Sequence, residues 1–375
     1  MDLIILGPSS SGKTSLANFI ASKYSLPIFN CDSIQIYKNL DFLSNKPKFI
    51  SQEIVEEEII SYTERTLALD LGKYKNFIFS AYVDRRDFVS NQTCNINKIL
   101  LLIDEIFSSS KSDMIVSDKV VNFLFDIKDP GQNYSTHTFE LDLTRIVKKF
   151  NIYSKIIVGG SVYYAFNYLF GLNREINSDF TCSTCSNISE WSKDELINFL
   201  YDNDPQILEF IDIKNRRRLE SAARFVLATS KKYSEEYFRK VQPKRNFFII
   251  LIYPIDREEY YKHLDNVIEK RFNSDSFNEL EKLIYLYGHE IIPWLNKISY
   301  EYRYFLSIYT KAKDEKTTSY IDLSKLRPLY AEYLTELKYK EHQYAKRQIT
   351  FLRRLERKLK ENLEIRATNY KNLAI

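Results

Sequence analysis

The stretch LIILGPSSSGKTSLA, Leu3 to Ala17, decides the fold. Four apolar residues make a short buried strand, Gly7 to Thr14 fit G-x-x-x-x-G-K-[ST], and Leu16, Phe19 and Ile20 continue at helical spacing. Strand, glycine-rich loop and helix in that order form a phosphate-binding loop. Backbone amides of Ser9, Ser10, Ser11, Gly12 and Lys13 can wrap an anion at a helix N-terminus, where the dipole favours negative charge. Lys13 adds a full positive charge, and the Thr14 hydroxyl is placed to reach a Mg²⁺. The loop alone does not say whether the phosphate belongs to ATP or to another diphosphate.

Outward from that loop, 375 residues suffice for two or three domains with a large core. A chain 44% hydrophobic and 28% charged is globular, not disordered. Four cysteines make no disulfide framework, which points to a reducing compartment. No run of eighteen apolar residues occurs, and the first residues already belong to the buried strand, so the expectation is a cytoplasmic, membrane-free protein without a leader; a monomer is expected as well. Net charge is +4, unevenly placed: Lys338 to Lys360 holds nine Lys/Arg against Glu341 and Glu356, or +7, leaving 4 − 7 = −3 for the remainder. A basic stretch on a near-neutral body suggests a polyanion docked at one place.

The expected fold class is α/β: a P-loop NTPase-like core with a parallel sheet, plus inserted and C-terminal mainly helical regions. Residues 1–47 and 119–172 are assigned to the core, with strands at LPIFNCDSIQIY, VVNFLFDIKDP and SKIIVGG. Residues 48–118 read as an insertion of unassigned role, opening with the acidic, helix-like SQEIVEEEIISYTERTLALD and holding two strand candidates, KNFIFSAY and KILLLIDEIF. Residues 173–212 read as a small insertion or swivel region, and 213–375 as a mainly helical region completing the core, apart from the strand-like RNFFIILIYP. In the last helix, Leu334, Leu337, Tyr344, Gln348, Phe351, Leu355, Leu359 and Leu363 fall on one face.

Several fragments carry chemistry. DSIQIY puts Asp32 just past a strand, beside the phosphate loop, where parallel sheets bind ligands. A carboxylate there is a candidate general base or water-mediated Mg²⁺ ligand. Ser33, Gln35 and Tyr37 follow, and the Gln35 amide has the donor–acceptor pair needed to read an adenine edge. DIKDPGQNYSTHTF supplies Asp126 and Asp129, with Ser135 a candidate helix cap. IIVGGS ends at Gly159, Gly160 and Ser161, allowing close backbone approach and offering a hydroxyl. The lone C-x-x-C of Cys182 and Cys185 cannot close a zinc site without two further ligands. A rival function comes from KILLLIDEIF, whose Asp104-Glu105 has the look of a Walker B strand in a P-loop ATPase or kinase.

The order G-P-x-x-S-G-K-T, D-S-x-Q-x-Y, Lys46-Pro47, D-I-x-D-P-x-x-x-Y-S-x-x-x-F, V-G-G-[ST]-x-x-Y and finally YAKRQIT resembles the tRNA dimethylallyltransferase (isopentenyltransferase) family, over Gly7 to Thr350. The resemblance implies transfer of a dimethylallyl group from its diphosphate to the exocyclic amine of the adenine 3′ of a tRNA anticodon, with Mg²⁺. Asp32 matches the family's base, Lys13 and the loop amides would hold the diphosphate with a Mg²⁺ near Thr14, and Ser161 takes the place of a Thr facing the phosphate or adenine. Ser33, Gln35 and Tyr37 would read the splayed-out adenine. Arg218 of KNRRR and Lys346, Arg347, Gln348 and Thr350 of YAKRQIT would contact the tRNA.

The chain also departs from the family pattern. Val162 and Tyr163 follow Ser161, Ser221 and Arg224 erode the N-D-x-x-R-x-x-R-A-L-E helix, an Arg expected in 173–195 has no counterpart, and the Pro47–Asp126 interval is longer. Besides the ATPase, the alternatives are an adenylate prenyltransferase and a tRNA-binding protein with a decayed site.

Overall fold

The computed structural model describes residues 1–66, 68–85, 88–94, 96–107, 119–171, 187–238, 246–314 and 331–371. The chain divides into two compact units, residues 1–167 with 245–375, and residues 168–244. No described helix is long and apolar enough to cross a membrane.

The first unit is built on one sheet. Strand β1 (Asp2–Leu6) leads through the phosphate loop into helix α1 (Lys13–Tyr24) and then β2 (Ile28–Asn30). A hairpin, β3 (Ser51–Val55) and β4 (Glu58–Glu64), is followed by β5 (Phe77–Arg85), β6 (Phe88–Cys94) and helix α2 (Ile96–Phe107). Then come β7 (Lys119–Phe123), α3 (Thr136–Lys149), β8 (Lys155–Gly159) and α4 (Val162–Phe170). Helices α5 (Lys193–Asn203), α6 (Pro205–Leu208), α7 (Arg216–Thr229) and α8 (Tyr233–Phe238) make up the second unit, around Leu196, Leu200, Leu219 and Phe225. The first unit resumes at β9 (Phe247–Pro254) and continues with α9 (Arg257–Arg271), α10 (Ser274–Tyr287), α11 (Ile292–Ile298), α12 (Tyr300–Asp314) and α13 (Ala331–Lys371).

Among the described residues the strands run β3-β4-β7-β2-β8-β1-β9-β5-β6. The central five, β7-β2-β8-β1-β9, are parallel, and an antiparallel pair closes each edge. The central strands β1, β8 and β9 read as nearly continuous apolar runs because residues on both of their faces are buried. In-register pairing of Leu6 with Gly159, and of Asn30 with Val158, brings the C-terminal ends of β1, β2 and β8 to one edge. The phosphate loop, Asp32 and the Gly159-Gly160 pair therefore meet there.

The insertion differs from its reading in two places. The acidic run is not helical; it is the β3–β4 hairpin, turning on Glu56 and Glu57 at φ 48 and 69. Two glutamates at positive φ are poor turn formers, which is why the signal was hidden. Glu58, far from solvated, is buried against Arg145 and Lys149. KILLLIDEIF is helix α2, not a strand. KNFIFSAY does form a strand, β5. On α13 the stripe holds at Leu334, Leu337, Gln348, Leu355 and Leu359, but Ala345 and Leu352 are buried while Phe351 is 42% exposed. The Leu363 side chain, Cys182 and Cys185 lie outside the described residues.

Candidate active site

Three strand ends and two distant helices build the site. The loop after β1 curls because Ser10 (φ 57) and Gly12 (φ 80) are both left-handed. Gly12 sits at the N-cap of α1 with no side-chain cap, and the first turn carries no acid, so neither a capping side chain nor a first-turn carboxylate competes for the amides. A Cβ on Gly7 would stand 2.7 Å from Ser11 Oγ, and that buried hydroxyl has no hydrogen-bond partner among the described residues. Lys13 Nζ donates to Pro8 O at 2.6 Å. Burial pulls the Lys13 ammonium down to about 8, against the opposing field of Asp32. Thr14 stands exposed one residue on.

Asp32 faces this cradle. Asn30 fixes it from behind, accepting from Asp32 N at 3.1 Å and donating to Leu124 O at 2.9 Å. Asp32 Oδ1 accepts from Ile34 N at 2.9 Å and Gln35 N at 3.4 Å, a local turn that holds the carboxylate rigid. Its Oδ2 lies 3.5 Å from where a Cβ on Gly160 would stand, and on Gly159 a Cβ would fall 1.9 Å from Cys31 O. The glycine pair is thus demanded by close approach of β8 to the Asp32 loop.

The cradle is tied to elements far along the chain. Gln348 on α13 accepts from Ser9 N (3.0 Å) and Ser9 Oγ (3.3 Å), while its Nε2 donates to Gly160 O at 3.3 Å. The Tyr260 hydroxyl on α9 donates to Ser9 O at 2.8 Å, and that of Tyr74, just before β5, donates to Gly12 O at 2.9 Å. Helices α9 and α13 run antiparallel, paired by His342–Asp265 (2.8 Å) and Lys338–Glu269 (2.5 Å).

A cleft of about 670 Å³ extends from the cradle past Asp32. Leu264, Val267 and Ile268 of α9 and Tyr344 of α13 also line it. Charged groups line it too: Arg271 pairs with Glu301, and Arg347 bonds the Tyr300 hydroxyl at 3.2 Å while lying 5.7 Å and 5.8 Å from the Tyr300 and Tyr344 ring centres. Burial pushes the Glu341 carboxyl up to about 7, with Arg271 and Arg347 pulling the other way.

The expected site residues divide accordingly. Ser9, Ser10, Ser11, Gly12, Lys13, Thr14, Asp32, Ser33, Gln35, Arg347 and Gln348 all line the one cleft. Ser161 Oγ accepts from Ser33 N at 3.0 Å, a brace for the Asp32 loop and not part of the cleft wall. Gln35 Nε2 donates to Ser44 O and Asn45 O, both at 3.1 Å, so its amide also shapes the loop beside it. Tyr37 is 4% exposed, edge-on to Trp294 and bonded to Gln132 O, so it belongs to the core and not to an RNA surface. Lys346 and Thr350 are exposed on α13, and Arg218 is exposed on α7 in the second unit.

The Walker B reading fails on position. Asp104 on α2 pairs with Lys23 at 2.6 Å and accepts from the Tyr24 hydroxyl, at the opposite end of α1 from Thr14. Ten helical residues put it about 15 Å from the cradle. Sequence reasoning missed Tyr74, Tyr260, Arg271, Glu301 and Glu341. Tyr260 alone carried a signal, its helical spacing to Leu264 and Ile268 on the buried face of α9.

Comparison with known proteins points the same way. A family model described as IPP transferase matches residues 109–355. A tRNA dimethylallyltransferase of Orientia tsutsugamushi (strain Boryong) is 24% identical over 358 residues, covering 93% of this chain and 90% of its own length. That of Acetivibrio thermocellus is 23% identical over 356 residues, with 94% and 89% covered. Among solved structures, a eukaryotic dimethylallyltransferase acting on tRNA shares the fold, with a TM-score of 0.59 at 18% identity, over 93% of this chain and 69% of that one.

Proposed function

The chain belongs to the IPP transferase family, and from that premise we propose that it transfers a dimethylallyl group from dimethylallyl diphosphate to the exocyclic amine of the adenine 3′ of a tRNA anticodon. One observation carries the reading: an anion cradle at an uncapped helix N-terminus, with a buried lysine, shares one cleft with a rigidly held carboxylate.

The chemistry follows from that arrangement. The adenine amine is a poor nucleophile, because its lone pair is delocalised into the ring. It attacks the allylic carbon as the carbon–oxygen bond to the diphosphate breaks, and Asp32 Oδ2 takes the proton that the amine loses. Negative charge grows on the leaving diphosphate, where Lys13 and the amides of Ser10 to Lys13 stabilise it. The residues also suit a Mg²⁺, since Thr14 is exposed and Ser11 Oγ has no partner among the described residues. Among the described residues no cluster of three acidic, histidine or cysteine side chains competes for such an ion, so it would draw most ligands from phosphate and water. When bound, that ion supplies further neutralisation of the diphosphate.

The apolar side chains of Leu264, Val267 and Ile268 in the cleft suit the prenyl tail, and the exposed Arg347 that also lines it suits the RNA backbone. All of these groups lie in one unit of one chain, so a monomer suffices.

The test is a single-turnover incubation with Mg²⁺, radiolabelled dimethylallyl diphosphate and an anticodon stem-loop carrying adenines 3′ of the anticodon, with Asp32→Ala beside it. Label entering the RNA only with the intact carboxylate is expected. A stem-loop that binds and stays unlabelled would overturn the transfer and leave a binding protein.

A further inference from the structure

The cradle is a short run of peptide groups, and its affinity for an anion depends on which way each peptide faces. A trans peptide points its C=O and N–H in opposite directions. Fixing a carbonyl on the outside of the loop therefore aims the next residue's amide inward. Two buried tyrosines do this from behind. The Tyr74 hydroxyl holds Gly12 O at 2.9 Å, alongside the first helical bond from Leu16 N, which turns Lys13 N–H toward the cradle. The Tyr260 hydroxyl holds Ser9 O at 2.8 Å, which turns Ser10 N–H the same way.

Both tyrosines are set on one rigid support. Tyr74 is 2% exposed, its ring 5.8 Å from that of Phe79 on β5. β5 pairs with β9 along its length, and β9 leads directly into α9 and Tyr260. The ring of Phe77, also on β5, meets Tyr260 edge-on at 6.2 Å. The Tyr74 ring further closes the space beside Gly12, where a Cβ would come within 2.8 Å. Gly12 stands at φ 80, a conformation glycine tolerates, and no larger residue fits between the loop and the ring.

We propose that Tyr74 and Tyr260 are positioning residues for the cradle, and that the segment between residues 48 and 118 serves this chain by supplying one of the two. The proposal rests on the reading that the cradle holds a diphosphate. Neither hydroxyl touches the ligand; each acts through the peptide it pins.

The test compares wild type, Tyr74→Phe, Tyr260→Phe and Tyr82→Phe. Tyr82 on β5 is a control, since its hydroxyl bonds Glu356 of α13 at 2.5 Å and not a carbonyl of the cradle loop. Inorganic pyrophosphate with Mg²⁺ is titrated by calorimetry, stem-loop affinity is measured separately, and KM and kcat are taken for dimethylallyl diphosphate. Loss of one such hydrogen bond predicts a five- to tenfold weaker pyrophosphate affinity and a matching rise in KM in Tyr74→Phe and Tyr260→Phe. Stem-loop affinity should stay within twofold in both, and Tyr82→Phe should bind pyrophosphate like wild type. If Tyr74→Phe and Tyr260→Phe match wild type, or Tyr82→Phe weakens equally, the positioning role is overturned while the transfer reading stands. If wild type itself ignores pyrophosphate, the diphosphate reading fails and the proposal with it.

Discussion

Lys13 is the group whose burial can be measured by its effect on stability. Replacing it by methionine keeps the length and removes the charge. Burial lowers its pKa from 10.5 to about 8. A difference of that size corresponds to about 3 kcal/mol that the folded state loses below pH 8, where the lysine is protonated in both states. The sign comes from proton counts. Between the two pKa values the unfolded chain binds more protons than the native one, so wild-type stability rises with pH from 8 toward 10.5. Lys13→Met lacks this dependence. The stability of wild type minus that of Lys13→Met should thus climb by about 2 kcal/mol between pH 7 and 9.5. The absolute gap at pH 7 also contains the lost bond to Pro8 O, so the slope is the clean quantity. Urea unfolding of both proteins at a series of pH values measures it. Parallel profiles, within about 0.5 kcal/mol across that range, would refute a desolvated lysine beneath the cradle. Lys13→Met should meanwhile lose pyrophosphate affinity by about 100-fold, because the cradle loses its full charge.

Asp32→Asn keeps an acceptor for Ile34 N and Gln35 N, so the fold and both substrate affinities should survive while single-turnover transfer falls by about 10²–10⁴. Gly159→Ala would drive a methyl group to within 1.9 Å of Cys31 O, and circular dichroism melts should show a loss of several degrees or no folded protein. Burial holds the Glu341 proton up to about 7, from a usual 4.5. The native state binds more protons in that interval, so wild type loses stability as pH rises through it. Glu341→Gln should accordingly melt higher than wild type at pH 8 and converge with it near pH 4.5; a constant offset would count against the assignment. Gln348→Ala should cut kcat/KM by about tenfold through pyrophosphate affinity, with stem-loop affinity changing less, because its amide serves Ser9 and Gly160.

The parallel core was legible because its signals are local and strong. A buried strand in a parallel sheet is an apolar run, and the glycine-rich loop dictates a helix immediately after it. The insertion was not, because its signals conflict. The acidic run SQEIVEEEIISY has good helix formers, yet pairing with β7 and ion pairs to Arg145 and Lys149 outweigh propensity and make it a hairpin. KILLLIDEIF is apolar nearly throughout, so periodicity cannot separate a buried strand from a helix that buries Ile99 and Ile103. The shift from Phe351 to Leu352 on α13 has the same origin: neighbouring apolar residues leave the stripe undetermined until a partner surface chooses.

At the site, the groups proposed to act on the ligand were readable and the groups that hold them were not. Lys13, Thr14 and Asp32 sit in short motifs whose chemistry is specific at fixed spacing. Gln348, Ser161 and Tyr37 lie in equally marked motifs, and their side chains turn out to face protein. Gln348 reaches Ser9 across 339 residues, Ser161 reaches Ser33 across 128, and Tyr37 reaches Gln132 across 95. A motif records that a residue type is required and is silent on whether substrate or backbone requires it. Distance along the chain decides the matter physically. A loop of amides has little to hold it in one arrangement, and each peptide is free to turn unless something outside pins it. Such pins must come from elements that the fold brings alongside, here α9, α13 and the insertion. The price of a cradle that needs no reorganisation at the moment of charge transfer is a set of tethers that only the folded chain reveals.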